Sequence, residues 1–197
     1  LSPSSAASDV YKRQVLAGWS SNSKFPFLGG VRSSAQMISY EISMGLSIIP
    51  VLMIYSTLDL SNIVEYQAAN GWLLLPVWGE GLSWQRWILL VPVAISFIIF
   101  LTSIFAEANR TPFDMSECET DLVGGYHTEY SGMGFGFFYL AEYLNLFIVA
   151  SVAATIFLGG WMPLHIVGLD GFNAVMDYIP GFVWFFGKAF FVVFLLM

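Results

Sequence analysis

Six of the fourteen acidic residues fall in one stretch, EANRTPFDMSECETDLVGGYHTEY, which runs from Glu107 to Tyr130. They are Glu107, Asp114, Glu117, Glu119, Asp121 and Glu129, and long apolar runs bound the stretch on both sides. Carboxylates crowded where water is scarce repel one another, which lifts a pKa toward neutrality, the property a proton relay needs. Asp114-Met115-Ser116-Glu117 fits a capping pattern, in which an acidic first residue and an acid three positions on accept from the free amides of a new helix. That helix would run to Gly124-Gly125, a natural stop. It would place Glu117 and Asp121 four residues apart on one face, where they repel. A solvated acidic loop with ordinary pKa values is the plainer alternative. Pro112, Phe113, Leu122, Val123 and Tyr126 are too apolar for such a loop and point to packing against the membrane part or a partner.

Glu41 and Glu142 lie inside apolar runs. A carboxylate deep in a bilayer costs about 2.5–3.5 kcal/mol even on the lower scale, so it faces a partner or a wet cavity and is functional by default. Tyr139 and Asn145 flank Glu142 at three residues on either side, on roughly one helical face, where they can solvate its charge or hold a water chain. Glu41 comes early in its run, and a wet interfacial position accounts for it equally well. Lys188 is either an interior counter-charge or a snorkelling side chain, the second being the commoner outcome. Cys118 is the only cysteine, so an internal disulfide is excluded and an inert thiol expected. His127 and His165 are far apart, and zinc or an iron–sulfur cluster held by this chain alone is not expected. Gly132 to Gly136 lacks dinucleotide spacing and reads as a flexible helix entry.

The elements that must position these residues are membrane spans. The 197-residue chain is 57% hydrophobic and 11% charged, with a mean hydropathy of +0.71, outside the usual range for a soluble domain. A net charge of −7 with seven scattered Lys and Arg argues against nucleic acid as a partner. A span needs about 20 apolar residues to cross about 30 Å of hydrocarbon. Four runs qualify or nearly so: 37–55 with Pro50 late in it, 87–105, 135–157 and 181–197. The expected class is all-α, a polytopic transmembrane helical bundle, with residues 15–197 as the membrane domain and 106–134 as its acidic insert. Residues 1–14 read as a disordered tail or a scar without native structure. Residues 18–36 read as a basic connecting loop or surface helix. Residues 56–86 read as a long connection whose Trp72, Trp78 and Trp84 mark the headgroup region.

Lys and Arg in short loops set orientation. Lys24, Arg32 and Arg110 lie on the side of the insert, against Arg86 alone on the other. The insert is therefore expected on the cytoplasmic side, where the Asn109-Arg110-Thr111 sequon would go unused. The last run reaches the end of the chain, as expected of a fragment.

The stretch from Glu107 to Tyr130 closely resembles a signature of one membrane subunit family, the H-type component of NADH-quinone oxidoreductase in bacteria and NADH dehydrogenase subunit 1 in mitochondria. GWSSNSKFPFLGGVRSSAQMISYEISMGL resembles the same family's other signature, and FFYLAEYLN continues the match into the third span. The resemblance covers essentially Val15 to Met197 and implies the middle of a subunit of about eight spans. It further implies that the 18–36 and 106–134 loops dock the hydrophilic arm of respiratory complex I in a bacterial inner membrane and, with two arm subunits, form the chamber where quinone is reduced. Quinone would be a substrate bound at the interface with partner subunits; NAD, flavin and iron–sulfur clusters would belong to those partners. The acids matching the family's proton path are Glu41, Glu107, Glu117, Glu119, Asp121, Glu129 and Glu142, with Arg110 and Asp114 completing the candidate set. Two positions depart from the pattern: Asp121 where Glu is usual, and Gly134 where Lys is common.

The expected function is coupling of quinone reduction to proton translocation. A membrane-bound hydrogenase or antiporter-like complex would use the same acids for ion movement without quinone. A structural anchor would use them as docking charges for a soluble arm.

Overall fold

The computed structural model describes residues 14–74, 84–108, 113, 124–165 and 170–197. The described residues are helical, with turns and no strand, and the all-α class expected from the sequence holds. The helices are α1 (residues 14–20), α2 (Lys24–Tyr55), α3 (Leu60–Asn70), α4 (Trp84–Glu107), α5 (Met133–Phe157), α6 (Asp170–Asp177) and α7 (Gly181–Leu196), with a 3-10 turn at Gly125–His127 before α5.

Among the described residues three helices are long and apolar enough to cross a membrane: Lys24–Tyr55, Trp87–Glu107 and Met133–Phe157. A fourth is reached only if Gly171–Asp177 and Gly181–Leu196, bent by 95° at their break, count as one span. The run expected at 181–197 is thus a helix of 16 residues, about 24 Å long at 1.5 Å per residue and short for the hydrocarbon thickness. By contrast α2 has 32 residues, or about 48 Å, and outreaches it. It starts at Lys24, well ahead of the expected 37, so most of the stretch read as a basic connecting loop or surface helix is helix, continuous with the span. Pro50 and Pro92 lie inside α2 and α4, as membrane helices tolerate where neighbours satisfy the freed carbonyl.

The expected tail reached Gln14, yet Gln14 is buried at the start of α1 and accepts a hydrogen bond from Ser33 Oγ of α2. Residues 1–13 lie outside the described residues. Residues 56–86, read as a long connection between spans, include a helix of their own. They contain α3, capped by Asp59, whose side chain accepts from Ser61 N at 3.0 Å, and stopped by Gly71 at φ 94 with its N–H on Gln67 O. Ile63, Val64 and Gln67 form its buried face. Trp72 is buried against the protein. Trp78 lies outside the described residues.

The chain divides into two compact units. Unit 1 comprises Leu1–Met44 and Thr102–Leu144; unit 2 comprises Gly45–Leu101 and Asn145–Met197. In unit 2 the small residues Ala150, Ala153 and Ala154 of α5 are fully buried, as are Val51, Ile63, Phe100 and Val192. Small residues let helices approach closely where lipid supplies no hydrophobic drive between them. Phe157 closes that core, its ring centroid 5.1 Å from Phe97 and 5.6 Å from Phe100.

Candidate functional site

Unit 1 contains every sequence-predicted site residue that falls among the described ones. Glu41 is exposed on α2, Glu107 is half-buried at the end of α4, Glu129 is exposed just after the 3-10 turn, and Glu142 is half-buried on α5. Arg110, Asp114, Glu117, Glu119 and Asp121 lie outside the described residues, as does the capped helix expected from Asp114.

What unit 1 brings together is the two ends of the insert and the first helices. Gln36 sits on α2 and donates its amide to Ala106 O and to Phe113 O, both at 2.7 Å. Tyr40, one helical turn on, packs edge-on against Phe113 at 5.4 Å between centroids. The near end of the insert is therefore held against α2 between the positions of Glu41 and Glu107, neighbours in sequence of Tyr40 and Ala106.

The far end is fastened by close backbone approach. A Cβ on Gly29 would lie 2.8 Å from Tyr126 N and 2.9 Å from Gly125 C, so only glycine lets the 3-10 turn sit on α2 at this point. Gly124 and Gly125 have φ 112 and 70, the left-handed conformations that make the turn possible. Tyr130 then reaches α1, its hydroxyl 2.9 Å from Ser20 Oγ and 3.4 Å from Ala17 O.

From the turn an aromatic cluster runs onto α5. Tyr126 meets Phe138 at 5.6 Å, Tyr130 meets Phe138 at 5.1 Å, and His127 meets Phe135 at 5.3 Å. His127 also stands 6.4 Å from Tyr139, three residues before Glu142 and on its face of the helix. Offset edge contacts of this kind are each worth about 0.5–1.5 kcal/mol beyond burial. Among the described residues, unit 1 presents its acids at exposed or half-buried positions, on elements held in place by amide, hydroxyl and ring contacts.

Sequence reasoning missed Gln36, Tyr40 and Ser20 as the residues that hold the insert. The one signal was Gln36 itself, an amide late in a segment that is helical; its partners lie 70 and 77 residues away. Lys188, read mainly as snorkelling, is instead buried in unit 2, with Nζ donating to Gly160 O at 2.9 Å and Met162 O at 2.5 Å.

A family model described as NADH dehydrogenase matches residues 7–197, starting ahead of the Val15 at which the resemblance was expected to begin. The H-type component of NADH-quinone oxidoreductase from Bacteroides fragilis is 64% identical over 183 residues, covering 93% of this chain and 48% of the relative. The protein of the same name from Rickettsia prowazekii is 48% identical over 181 residues, with 91% and 47% covered. That from Rhodospirillum centenum is 46% identical over 181 residues, with 92% and 47% covered. The chain spans about half the length of these curated relatives.

Proposed function

The chain belongs to the NADH dehydrogenase family, and from that membership we propose that it is the central part of a membrane subunit that couples quinone reduction to proton translocation. The relatives' names favour quinone chemistry over the hydrogenase and antiporter alternatives. In this reading the chain sits in a bacterial inner membrane with the insert on the cytoplasmic side. Hydrophilic-arm subunits dock there and complete the chamber in which quinone is reduced. NADH oxidation and electron transfer are the work of those partners, and neighbouring membrane subunits receive what this chain passes on.

One observation carries the reading. Both described ends of the acid-rich insert are held against α1, α2 and the end of α4, rather than left in solvent. Carboxylates held this way respond to a change of charge nearby, because a new or removed charge shifts the proton affinity of each neighbour. Reduction of quinone to quinol takes up two electrons and two protons. A carboxylate that gives up a proton there refills from the next, and Glu142 and Glu41 continue the series into the helices. Asp114, Glu117, Glu119 and Asp121 belong to the same proposed series, as do Glu107 and Glu129, while Arg110 contributes a fixed positive charge to the chamber.

The test is Glu142→Gln in the full-length subunit within the assembled complex. Removing one proton-transfer group costs roughly 10²-fold where that transfer limits the rate. The expected result is turnover lost by about that factor, or quinone reduction that continues with few protons moved. Normal proton translocation per quinone in this variant would leave only the role of structural anchor.

A further inference from the structure

A helix leaves its last four carbonyls without intrahelical partners, and where the end is buried the protein must supply the donors. The end of α5 is such a case. Ala154 to Leu158 are buried, and α5 has no basic residue in its last turn to serve them.

The backbone supplies part of the closure. Leu158 N and Gly160 N both donate to Ala154 O, at 3.1 and 2.9 Å, the second folding the chain back over the helix end. Gln67 of α3 supplies more, its Nε2 donating to Thr155 O at 3.2 Å and Ile156 O at 3.0 Å. In the turn that follows, Gly160 O and Met162 O both accept from one atom, Lys188 Nζ of α7, at 2.9 and 2.5 Å.

The partners that surround Nζ are those suited to a cation. Two carbonyl oxygens present the negative ends of their dipoles, and the C-terminal end of α5 adds that of the helix. The centroid of the Trp72 ring is 4.1 Å from Nζ, where the face of an indole attracts positive charge. An ammonium has three N–H groups, two for the carbonyls and one for the ring. No partner carries a charge. The acids whose side chains are described in unit 2, Asp59, Glu65 and Asp177, are exposed. A snorkelling lysine carries its head out to water, but Lys188 is 7% exposed and ends on three elements of its own unit. Trp72 follows α3, the carbonyls follow α5, and the amine belongs to α7.

We propose that the turn after α5 is a binding site for a primary alkylammonium, which the protein fills with its own Lys188. The charge of Lys188, rather than the bulk of its side chain, ties α3, the end of α5 and α7 together. Because the ion is tethered to α7, it enters without the entropy loss of a free one. When the tether is cut, a free alkylammonium of the same length takes its place. The site is a property of the turn and holds whatever the chain does with quinone.

The experiment uses the full-length subunit in the assembled complex, reconstituted in lipid vesicles, and reads amide hydrogen exchange over residues 158–162. Lys188→Met keeps most of the side-chain bulk and loses the cation, so exchange there is expected to rise by about tenfold or more. Lys188→Ala removes the side chain from Cγ outward, which n-propylammonium replaces atom for atom. Propylammonium at millimolar concentration is expected to restore most of the protection, and 1-propanol, of the same length but neutral, to restore none. Should Lys188→Ala fail to assemble, the lysine is kept and Trp72 is replaced by tryptophans bearing successively more fluorine. These keep the shape of the ring and weaken its attraction for a cation step by step, and exchange over the same residues is expected to rise with each step. Wild-type protection in Lys188→Met, restoration by propanol equal to that by propylammonium, or no response to fluorination would each overturn the proposal.

Discussion

In unit 1 the described carboxylates, Glu41, Glu107, Glu129 and Glu142, are exposed or half-buried, whereas the buried charge of unit 2 is a cation, Lys188, set on two carbonyls and an indole. The two regions meet the cost of polar groups among apolar helices differently. Unit 1 leaves its charges exposed or half-buried and spends its amide and hydroxyl groups on holding an insert. Unit 2 removes its charge from water and satisfies it with backbone. Groups of the first kind can exchange protons with whatever docks on them. A group of the second kind needs an internal donor or acceptor before it can exchange one.

The comparison makes unit 2 the less forgiving region, and Gly159→Ala should break it most severely. Gly159 has φ 74, and a Cβ there would lie 2.6 Å from Cδ1 and Nε1 of Trp72. The left-handed conformation and the overlap together should cost about 3–4 kcal/mol, displacing the ring that covers Lys188. Thermal unfolding of the full-length subunit in detergent would read the loss. Gly29→Ala is the counterpart in unit 1. Its Cβ would meet the backbone of Gly125 and Tyr126, and a cost of about 2 kcal/mol is expected. Faster proteolysis within the insert, with the α3–α5 contacts of unit 2 unchanged, would mark the damage as local. Equal unfolding of both units would deny that they are separate in their stability.

Much of the fold was legible because lipid imposes length. The runs 87–105 and 135–157 correspond to helices Trp84–Glu107 and Met133–Phe157, since uninterrupted apolar sequence of that length has little alternative. The start of α2 was legible only as one of two readings, loop or surface helix: Ser33 and Gln36 are polar because they meet Gln14 and the insert, which no local pattern shows. The short α3 was also missed. Asp59 and Gly71 supplied its cap and stop signals, but only three of its positions are buried and no long apolar stripe marks it. The contact of Trp72 with Lys188 was not legible either, because density of tryptophan says nothing of a lysine arriving from more than a hundred residues away. In the site, residue types pointed to carboxylates; the contacts that hold the insert join distant positions and left no local pattern.

Gln36→Leu sharpens the comparison from the side of the polar contacts. It removes the donor to Ala106 O and Phe113 O while keeping most of the side-chain volume. Two carbonyls lose a partner, but the orphaned Gln36 Oε1 disappears with them, so a net loss of about 1–2 kcal/mol is expected. Hydrogen exchange at Phe113 and its neighbours should rise with little change in the melting of unit 2.

Tyr130→Phe is the mildest change and the finest test of how unit 1 is held. It keeps the ring against Phe138 and deletes only the hydroxyl that meets Ser20 Oγ and, more distantly, Ala17 O. Ser20 Oγ retains its own bond to Ala17 O at 3.0 Å, and the site is open enough for water to replace the lost group. The expected cost is about 0.5–1 kcal/mol, seen as faster amide exchange over residues 124–130 and not as a shift in global melting. A loss as large as that of Gln36→Leu would mean that the hydroxyl bears weight its partial exposure does not predict. The fastening of the insert to α1 would then belong with the buried contacts of unit 2, and the distinction between the two regions would rest on their charges alone.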